Sequence, residues 1–392
     1  MRHIGHALAA LAFAFAATIA SAQAPEKIKL GFMAAMSGPL GVLGAEQKRG
    51  LEIALEHLNH RVGGIPVEVV TGDSKANPGA AMQELSRLVE KERVHLLTGV
   101  TSSNELLAVV KPITDAKVFL IGSLAGPAEL AGEGCSPYYF NVSFQNAQLT
   151  TGVGAYLAKK GIKKLYLMGM DYAGSREHIE TVRKGFPGEI VAEAYTPMAQ
   201  LDYAADIAKI RASGADGVFV FYPGSASVTL VRQWAQAGMG GKIPLYSNLA
   251  LTEPLVFAAQ GKAAVGLHVS GSYFAAMDNP ANRKFVEAFR AKFGRDPAIS
   301  AAMQYDAMML IDAAVREVKG NVSNQDAFRA ALRAAKFEST RGPFRFNTNH
   351  QPIHNNYMAV VEERRDGGLY LKPTDLITEA SRDEHAAKCR MR

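Results

Sequence analysis

Two segments of the chain each end an apolar run with hydroxyl-bearing side chains. Residues 96–104 read Leu-Leu-Thr-Gly-Val-Thr-Ser-Ser-Asn, and residues 118–126 read Val-Phe-Leu-Ile-Gly-Ser-Leu-Ala-Gly. Each pattern predicts a buried strand, a tight turn and the start of a helix. Ser102 and Ser123 would then stand at neighbouring strand ends, beside N–H groups that a helix start leaves unpaired. This arrangement can hold a small carboxylate or phosphate, although each serine taken singly is more often an ordinary cap or turn residue.

The elements that position these serines follow an alternating pattern. Strands and helices alternate from residue 27 to residue 272 in about eight units. This alternation predicts parallel sheets covered by helices on both faces, and eight strands are too many for one small sheet. We therefore predict an α/β fold with two doubly wound parallel-sheet lobes. Three successive helices, predicted at 281–293, 300–318 and 324–335, indicate a return to the first lobe, and residues 342–371 predict short strands and turns.

This pattern divides the chain into a leader and two lobes. We expect residues 25–143 and 275–338 in the first lobe, and residues 144–272 and 340–392 in the second lobe and tail. The basic start, the apolar run from residue 7 to residue 20 and the small residues around Ala22 predict a signal peptide over residues 1–22. The mature protein is then expected in the periplasm, exported and soluble.

Composition narrows the function classes. The net charge is +6 and scattered, with no basic run interleaved with aromatics, so nucleic acid is not expected as a partner. Cys135 and Cys389 are the two cysteines. In an exported chain they are candidates for one disulfide, with two free thiols as the alternative.

The order of several further motifs along the chain is informative. Residues 29–32 (Lys-Leu-Gly-Phe) lead into residues 36–41 (Met-Ser-Gly-Pro-Leu-Gly), residues 72–74 (Gly-Asp-Ser) precede Asn77-Pro78, and residues 171–174 (Asp-Tyr-Ala-Gly) follow a strand in the second half. With the two serine segments, this order resembles the type I periplasmic solute-binding proteins of ABC importers, in the Leu/Ile/Val-binding branch. The resemblance covers the whole mature chain.

The resemblance implies a Venus-flytrap architecture of two lobes joined by three hinge strands, which close on a ligand in the cleft. It implies a membrane permease as partner, no cofactor, and a monomeric carrier. It places Ser102, Ser123 and Ala125 where the first lobe grips a carboxylate, and Tyr172 and Tyr222 where the second lobe packs on the ligand. Each tyrosine is also explained as a strand-end core residue. The remaining predicted contacts are Ser103, Leu124, Asn248 and Tyr273.

One departure from the family pattern bears on the ligand. Amino acid binders of this family carry an acidic residue in the second lobe to pair with the ligand's ammonium, but residues 246–252 read Tyr-Ser-Asn-Leu-Ala-Leu-Thr. Glu253 is interpreted as an acid in the first turn of a helix. Because an unpaired buried ammonium costs several kcal/mol, we expect an aromatic acid: a benzoate, hydroxycinnamate or aromatic keto acid. The alternative is a branched-chain amino acid or amide, with Glu253 or Asp171 as counter-charge.

Enzymatic classes find little support. The glycines of residues 38–44 lack the spacing of a dinucleotide or P-loop motif, and Ser123 does not fit a nucleophile elbow. His57 and His60 stand three apart on a helix, without a further ligand at metal-binding spacing. We therefore expect a binding protein without catalytic residues or a metal.

Overall fold

The computed structural model describes residues 25–391, so the predicted signal peptide lies outside the described residues. The first lobe contains a six-stranded sheet in the order β2-β3-β1-β4-β5-β6, parallel except for the edge strand β2. Its strands are β1 (Ile28–Ala34), β2 (Arg61–Val62), β3 (Ile65–Asp73), β4 (Leu96–Gly99), β5 (Phe119–Gly122) and β6 (Tyr139–Asn141).

The second lobe contains an eight-stranded sheet in the order β12-β13-β11-β10-β9-β7-β8, with β14 beside β13. Strands β7 to β11 are parallel, whereas β13 runs antiparallel to β11 and to β14. The strands are β7 (Lys164–Met170), β8 (Glu189–Thr196), β9 (Gly217–Phe221), β10 (Leu245–Asn248), β11 (His268–Gly271), β12 (Arg345–Phe346), β13 (Pro352–Glu363) and β14 (Leu369–Ser381). The predicted α/β fold with two mostly parallel sheets is confirmed.

Twelve helices lie within the described part of the chain. They are α1 (Gly41–His57), α2 (Pro78–Ser86), α3 (Ser103–Asp115), α4 (Ala128–Ala131), α5 (Val153–Lys159), α6 (Ala173–Gly185), α7 (Ala204–Ala212), α8 (Ser225–Gln236), α9 (Phe257–Gln260), α10 (Pro280–Phe293), α11 (Ile299–Glu317) and α12 (Gln325–Ala334). None of them combines the length and apolarity needed to cross a bilayer. Helix α11 packs on α1, β4 and β5, and α12 packs on α11, so this late stretch of the chain adds to the first lobe.

Side chains that alternate along the strands of the first sheet belong to two separate hydrophobic layers. Leu96 and Ile121 belong to the core that includes α1 and α11, while their neighbours Leu97 and Leu120 belong to the core that includes α2 and α3. Successive side chains of a strand point to opposite faces. Helices α3 and α11 therefore cover opposite faces of this sheet, and both start near its carboxyl edge.

Two predicted elements differ from the structure. The helix predicted from Asn146 to Lys160 is a 3₁₀ turn (Asn146–Leu149) followed by α5, because Gly152 adopts a left-handed φ of 85° that interrupts the helix. The tail predicted as short strands and turns is instead the long antiparallel hairpin of β13 and β14. Its strands mix polar and apolar residues because the hairpin lies at the edge of the sheet, which obscured the period-two pattern.

Cys135 and Cys389 form a disulfide, with their Cα atoms 5.6 Å apart. Cys135 lies between α4 and β6 in the first lobe, and Cys389 lies in the tail that follows β14 of the second sheet. The bond therefore fastens the tail of one lobe to a loop of the other.

Candidate ligand-binding site

A cavity of about 60 Å³ lies between the carboxyl ends of the two sheets. At the volume that water has in the liquid, this is space for about two water molecules, so the cavity is far too small for a peptide. Six of the predicted contact residues line it: Ser102, Ser103, Leu124, Ala125, Tyr172 and Asn248. Both lobes contribute to the wall, as a cleft between two lobes requires.

The start of α3 supplies the hydroxyl groups. Ser102 caps this helix in a capping box: its Oγ accepts from the Glu105 N–H at 3.4 Å, and the Glu105 carboxylate accepts from the Ser102 N–H at 2.8 Å. Ser103 Oγ accepts from Asn146 Nδ2 at 3.0 Å. Within residues 25–391, neither hydroxyl hydrogen has an acceptor, so both remain free to donate to a ligand beside the positive end of the helix dipole.

The turn that leads into α3 has an unusual backbone. Gly99 has a φ of 111°, and a Cβ at this position would lie 2.3 Å from the carbonyl oxygen of Met33. Val100 follows with a φ of 61°, a region that β-branched residues rarely occupy. Such strain persists where the surrounding structure enforces it, and it is common beside binding sites.

Aromatic rings form the second lobe's side of the cavity. Phe221 ends β9 and lies between His178, stacked at 4.3 Å, and Tyr172, at 6.1 Å between ring centroids. Burial lowers the pKa of His178 to about 3 and raises the pKa of Tyr172 well above its ordinary value. Both side chains are therefore neutral near pH 7, and the wall is an uncharged aromatic surface.

Glu253 also lines the cavity, which corrects its interpretation as a first-turn residue. It lies in the connection before α9, which starts only at Phe257, and its side chain is buried with 2% exposure. One carboxyl oxygen accepts from the Ile299 N–H at 3.1 Å. Burial, with a contribution from the nearby Glu46, raises the pKa of Glu253 to about 8, against a partly compensating effect of Arg295. The carboxyl group is therefore mostly protonated at neutral pH.

Ser123 does not line the cavity, contrary to the prediction. Its Oγ accepts from Gln47 Nε2 at 2.8 Å and donates to Gln304 Oε1 at 2.6 Å, which joins α1 to α11. The hydroxyl is thus fully used inside the first lobe. Sequence spacing located the strand end correctly but could not show that two glutamines from distant helices meet there.

Tyr222 and Tyr273, also predicted as contacts, do not line the cavity either. Tyr222 stacks edge-on against Tyr203 and hydrogen-bonds Thr196 on the far side of the second sheet, because alternation sends its neighbour Phe221 to the cavity. Tyr273 is buried and donates to Asn282 Oδ1 at 3.0 Å. Alternation along β9 could have identified Phe221 in place of Tyr222.

Several cavity residues were not predicted from the sequence. Apart from His178, which lies inside α6, they stand in loops or helix starts, and only the fold brings them together: Thr101, Phe144, Asn146, His178, Pro223, Ile299 and Ser300. Asn248, which was predicted, uses its Oδ1 to accept from the Ala250 N–H at 3.0 Å. Within residues 25–391, no cluster of three or more His, Cys, Asp or Glu side chains could hold a metal ion.

Two α/β lobes with a small, mixed polar and aromatic cavity between their sheet ends define a two-lobed binding protein for small solutes. Residues 27–368 match the family described as periplasmic binding protein, and the chain belongs to this family. Members bind solutes and are not enzymes. Membership also implies export to the periplasm.

Relatives differ in what their names say they bind. A solute-binding protein of an ABC transporter from R. palustris, solved with benzoate, is 29% identical, covers 93% of this chain and 100% of that chain, and has a TM-score of 0.88. A second solute-binding protein, from Rhodopseudomonas palustris BisB5, was solved with 3,4-dihydroxy benzoic acid. It is 27% identical, the match covers 92% of this chain and 99% of that chain, and the TM-score is 0.86. The Leu/Ile/Val-binding protein homolog 6 of Brucella melitensis is 28% identical over 93% of this chain and 95% of that protein.

Proposed function

We propose that this protein captures a single-ring aromatic carboxylate in the periplasm and delivers it to the membrane permease of an ABC importer. The observation that carries the proposal is the pairing, in one cavity, of free hydroxyl donors at a helix start with an uncharged aromatic wall. The benzoate and dihydroxybenzoate complexes of similar proteins support the same ligand class.

The carboxylate end of the ligand fits the start of α3. Ser102 and Ser103 can each donate a hydrogen bond, and the first N–H groups of the helix point the same way. Hydrogen bonds to a charged group contribute about 1.5–3 kcal/mol each. Ser102 and Ser103 are 3% exposed, so a carboxylate bound there is largely withdrawn from water.

The ring of the ligand fits the wall formed by Tyr172, Phe221 and His178. A bound ring adds apolar burial, and favourable aromatic pairs add about 0.5–1.5 kcal/mol beyond it. Leu40, Leu43 and Leu124 close the opposite side. This surface favours binding of a flat apolar group. The aromatic face of the second lobe provides no charged side chain that could pair with a ligand's ammonium group.

A branched-chain amino acid is the second candidate, and Glu253 is the observation that favours it. Its carboxyl group is the acid in the cavity wall, and as a carboxylate it could pair with an ammonium. With a pKa of about 8, the group must first lose its proton at neutral pH, which reduces the affinity for a zwitterion. Because relatives are named Leu/Ile/Val-binding protein homologs, the ligand panel below includes a branched-chain amino acid.

Capture requires the lobes to close around the ligand. Contacts from both lobes to one ligand stabilise the closed state over the open state, and only such differential contacts can shift the population. We expect a monomer to perform this cycle, because both halves of the cavity come from one chain.

A ligand panel tests the proposal. Calorimetry and thermal shift of the purified protein with benzoate, 4-hydroxybenzoate, leucine and phenylalanine should show binding and a raised melting temperature for the aromatic acids. Phe221→Ala should weaken their binding at least tenfold, while the matched variant Tyr222→Phe, on the far side of the sheet, should bind as the wild type does. Stabilisation by leucine and by no aromatic acid would overturn the assignment.

A further inference from the structure

The cavity has a second polar corner, formed by Glu253 and Ser300 where α11 begins. Both side chains are buried, at 2% and 0% exposure, and both line the cavity. Ser300 Oγ is buried without a hydrogen-bond partner in the described part of the chain. Only one oxygen of Glu253 is used, by the Ile299 N–H at 3.1 Å. A buried hydroxyl without a partner is rare in proteins and calls for an explanation.

This corner and the carboxylate site are formed by different helices of the first lobe. Ser102 and Ser103 start α3, whereas Ser300 is in the first turn of α11, and the two helices cover opposite faces of the first sheet. Leu40, which precedes α1, and Leu43, in its first turn, contribute apolar side chains to the wall. A ligand held by its carboxylate at α3 would therefore extend its ring towards the Glu253–Ser300 corner.

The surroundings keep the corner uncharged and fixed. Glu46 accepts from Arg295 Nη1 at 2.9 Å and from the Ala298 N–H at 3.0 Å, which holds the start of α11 in place. Glu46 also accepts from Arg49 Nη1 at 3.0 Å, so both arginines are already paired with this carboxylate. The protonated carboxyl of Glu253 can then both donate and accept a hydrogen bond, as the hydroxyl of Ser300 can.

We propose that Glu253 and Ser300 recognise a hydroxyl group on the ring of the bound acid, so that the protein selects hydroxylated aromatic acids over the unsubstituted ring. This inference rests on the proposed function and adds its substrate subclass. A phenolic hydroxyl, a donor and an acceptor, satisfies both Ser300 Oγ and the free oxygen of Glu253. A ligand that lacks the hydroxyl leaves these buried groups unpaired, which is a strong basis for discrimination.

Calorimetry with benzoate, 3-hydroxybenzoate and 4-hydroxybenzoate tests the proposal. We expect wild-type protein to bind at least one hydroxylated acid about tenfold or more tighter than benzoate, the scale set by one buried hydrogen-bond pair. Ser300→Ala should reduce this preference, measured as the ratio of the two dissociation constants, to about threefold or less. Glu253→Gln, which still donates and accepts, should keep most of the preference, and Glu253→Leu should lose it.

Ser74→Ala is the matched control, because Ser74 is also fully buried with an unpartnered Oγ but does not line this cavity. It should leave the ratio unchanged. If wild-type protein binds benzoate as tightly as both hydroxylated acids, or if Ser300→Ala and Glu253→Leu leave the ratio unchanged, the inference fails and the proposed function stands. If no aromatic acid binds, both fail. Should Glu253→Leu not fold, as judged by circular dichroism, Ser300→Ala decides.

Discussion

Raising the pH should weaken binding of an aromatic acid, because the cavity holds a protonated carboxyl. With a pKa of about 8 for Glu253, the protonated fraction in the free protein falls from about 0.9 at pH 7 to about 0.1 at pH 9. If only the protonated form accepts an anionic ligand, the apparent dissociation constant increases by the inverse of this fraction, about tenfold. Benzoate itself stays ionised throughout, so the change reports on the protein.

Calorimetry at half-unit steps of pH provides the measurement, and Glu253→Gln is the control. The charged groups facing Glu253 are Glu46 and Arg295, which form an ion pair. Glu177, on α6, accepts from the Ala128 N–H, and burial raises its pKa to about 7, so it also titrates in this range. Its contribution persists in Glu253→Gln, and the difference between the two proteins isolates Glu253.

The sign of the effect separates the two ligand classes. A zwitterionic amino acid would pair its ammonium with ionised Glu253, so leucine affinity would rise between pH 7 and pH 9, up to the loss of the ligand's own ammonium proton. Benzoate affinity that is flat or rising over this interval in the wild type, or that falls equally in Glu253→Gln, would refute the reasoning.

Four further results are expected. Ser102→Ala should weaken binding of the aromatic acid by about 1–3 kcal/mol in calorimetry. Ser123→Ala should leave affinity unchanged but lower the free energy of unfolding in urea by about 1–3 kcal/mol, because two buried amides lose a partner; a loss of affinity alone would restore Ser123 to the site. Glu253→Gln should remove a cost of folding on the order of 3 kcal/mol at pH 7. The raised pKa means that the folded state keeps a proton that the unfolded chain releases above its ordinary pKa, so wild-type stability falls from there up to about pH 8. The variant lacks this part of the fall and keeps the parts that come from the raised pKa values of Glu177 and Asp306. Replacing Cys135 and Cys389 by serine should cost about 2–5 kcal/mol in denaturant unfolding, and an unchanged midpoint would count against the bond.

The sequence predicted well those features that local pattern controls. The three helices near the end of the chain lie within two residues of their predicted bounds, and α3 begins beside Ser102 as its capping pattern indicates. The long β13–β14 hairpin was missed because its strands are polar on their exposed sides. Periodicity reports burial, and an edge hairpin is only partly buried.

The site was predicted less completely because its contacts are made between distant segments. Ser102 and Tyr172 follow strands directly, and the fold brings both to the cavity. Ser123 lies outside the cavity wall because its hydrogen-bond partners come from α1 and α11, far away along the chain. Tyr222 lies outside it because one step along a strand reverses the face. Glu253 is the largest difference: the sequence analysis interpreted it as an acid in the first turn of a helix, while its burial at the cavity depends on where α11 packs.

The disulfide has a mechanical consequence for a two-lobed protein. The tail between β14 and Cys389 comprises the residues 382–389, and a fully extended chain spans at most ~3.6 Å per residue. Asp383, near the start of this tail, accepts from Asn349 Nδ2 at 2.9 Å, and the same amide donates to the Ala131 carbonyl of the first lobe at 2.6 Å. The tail is thus a short covalent connection between the two lobes. We expect this connection to limit the angle to which the two lobes can open.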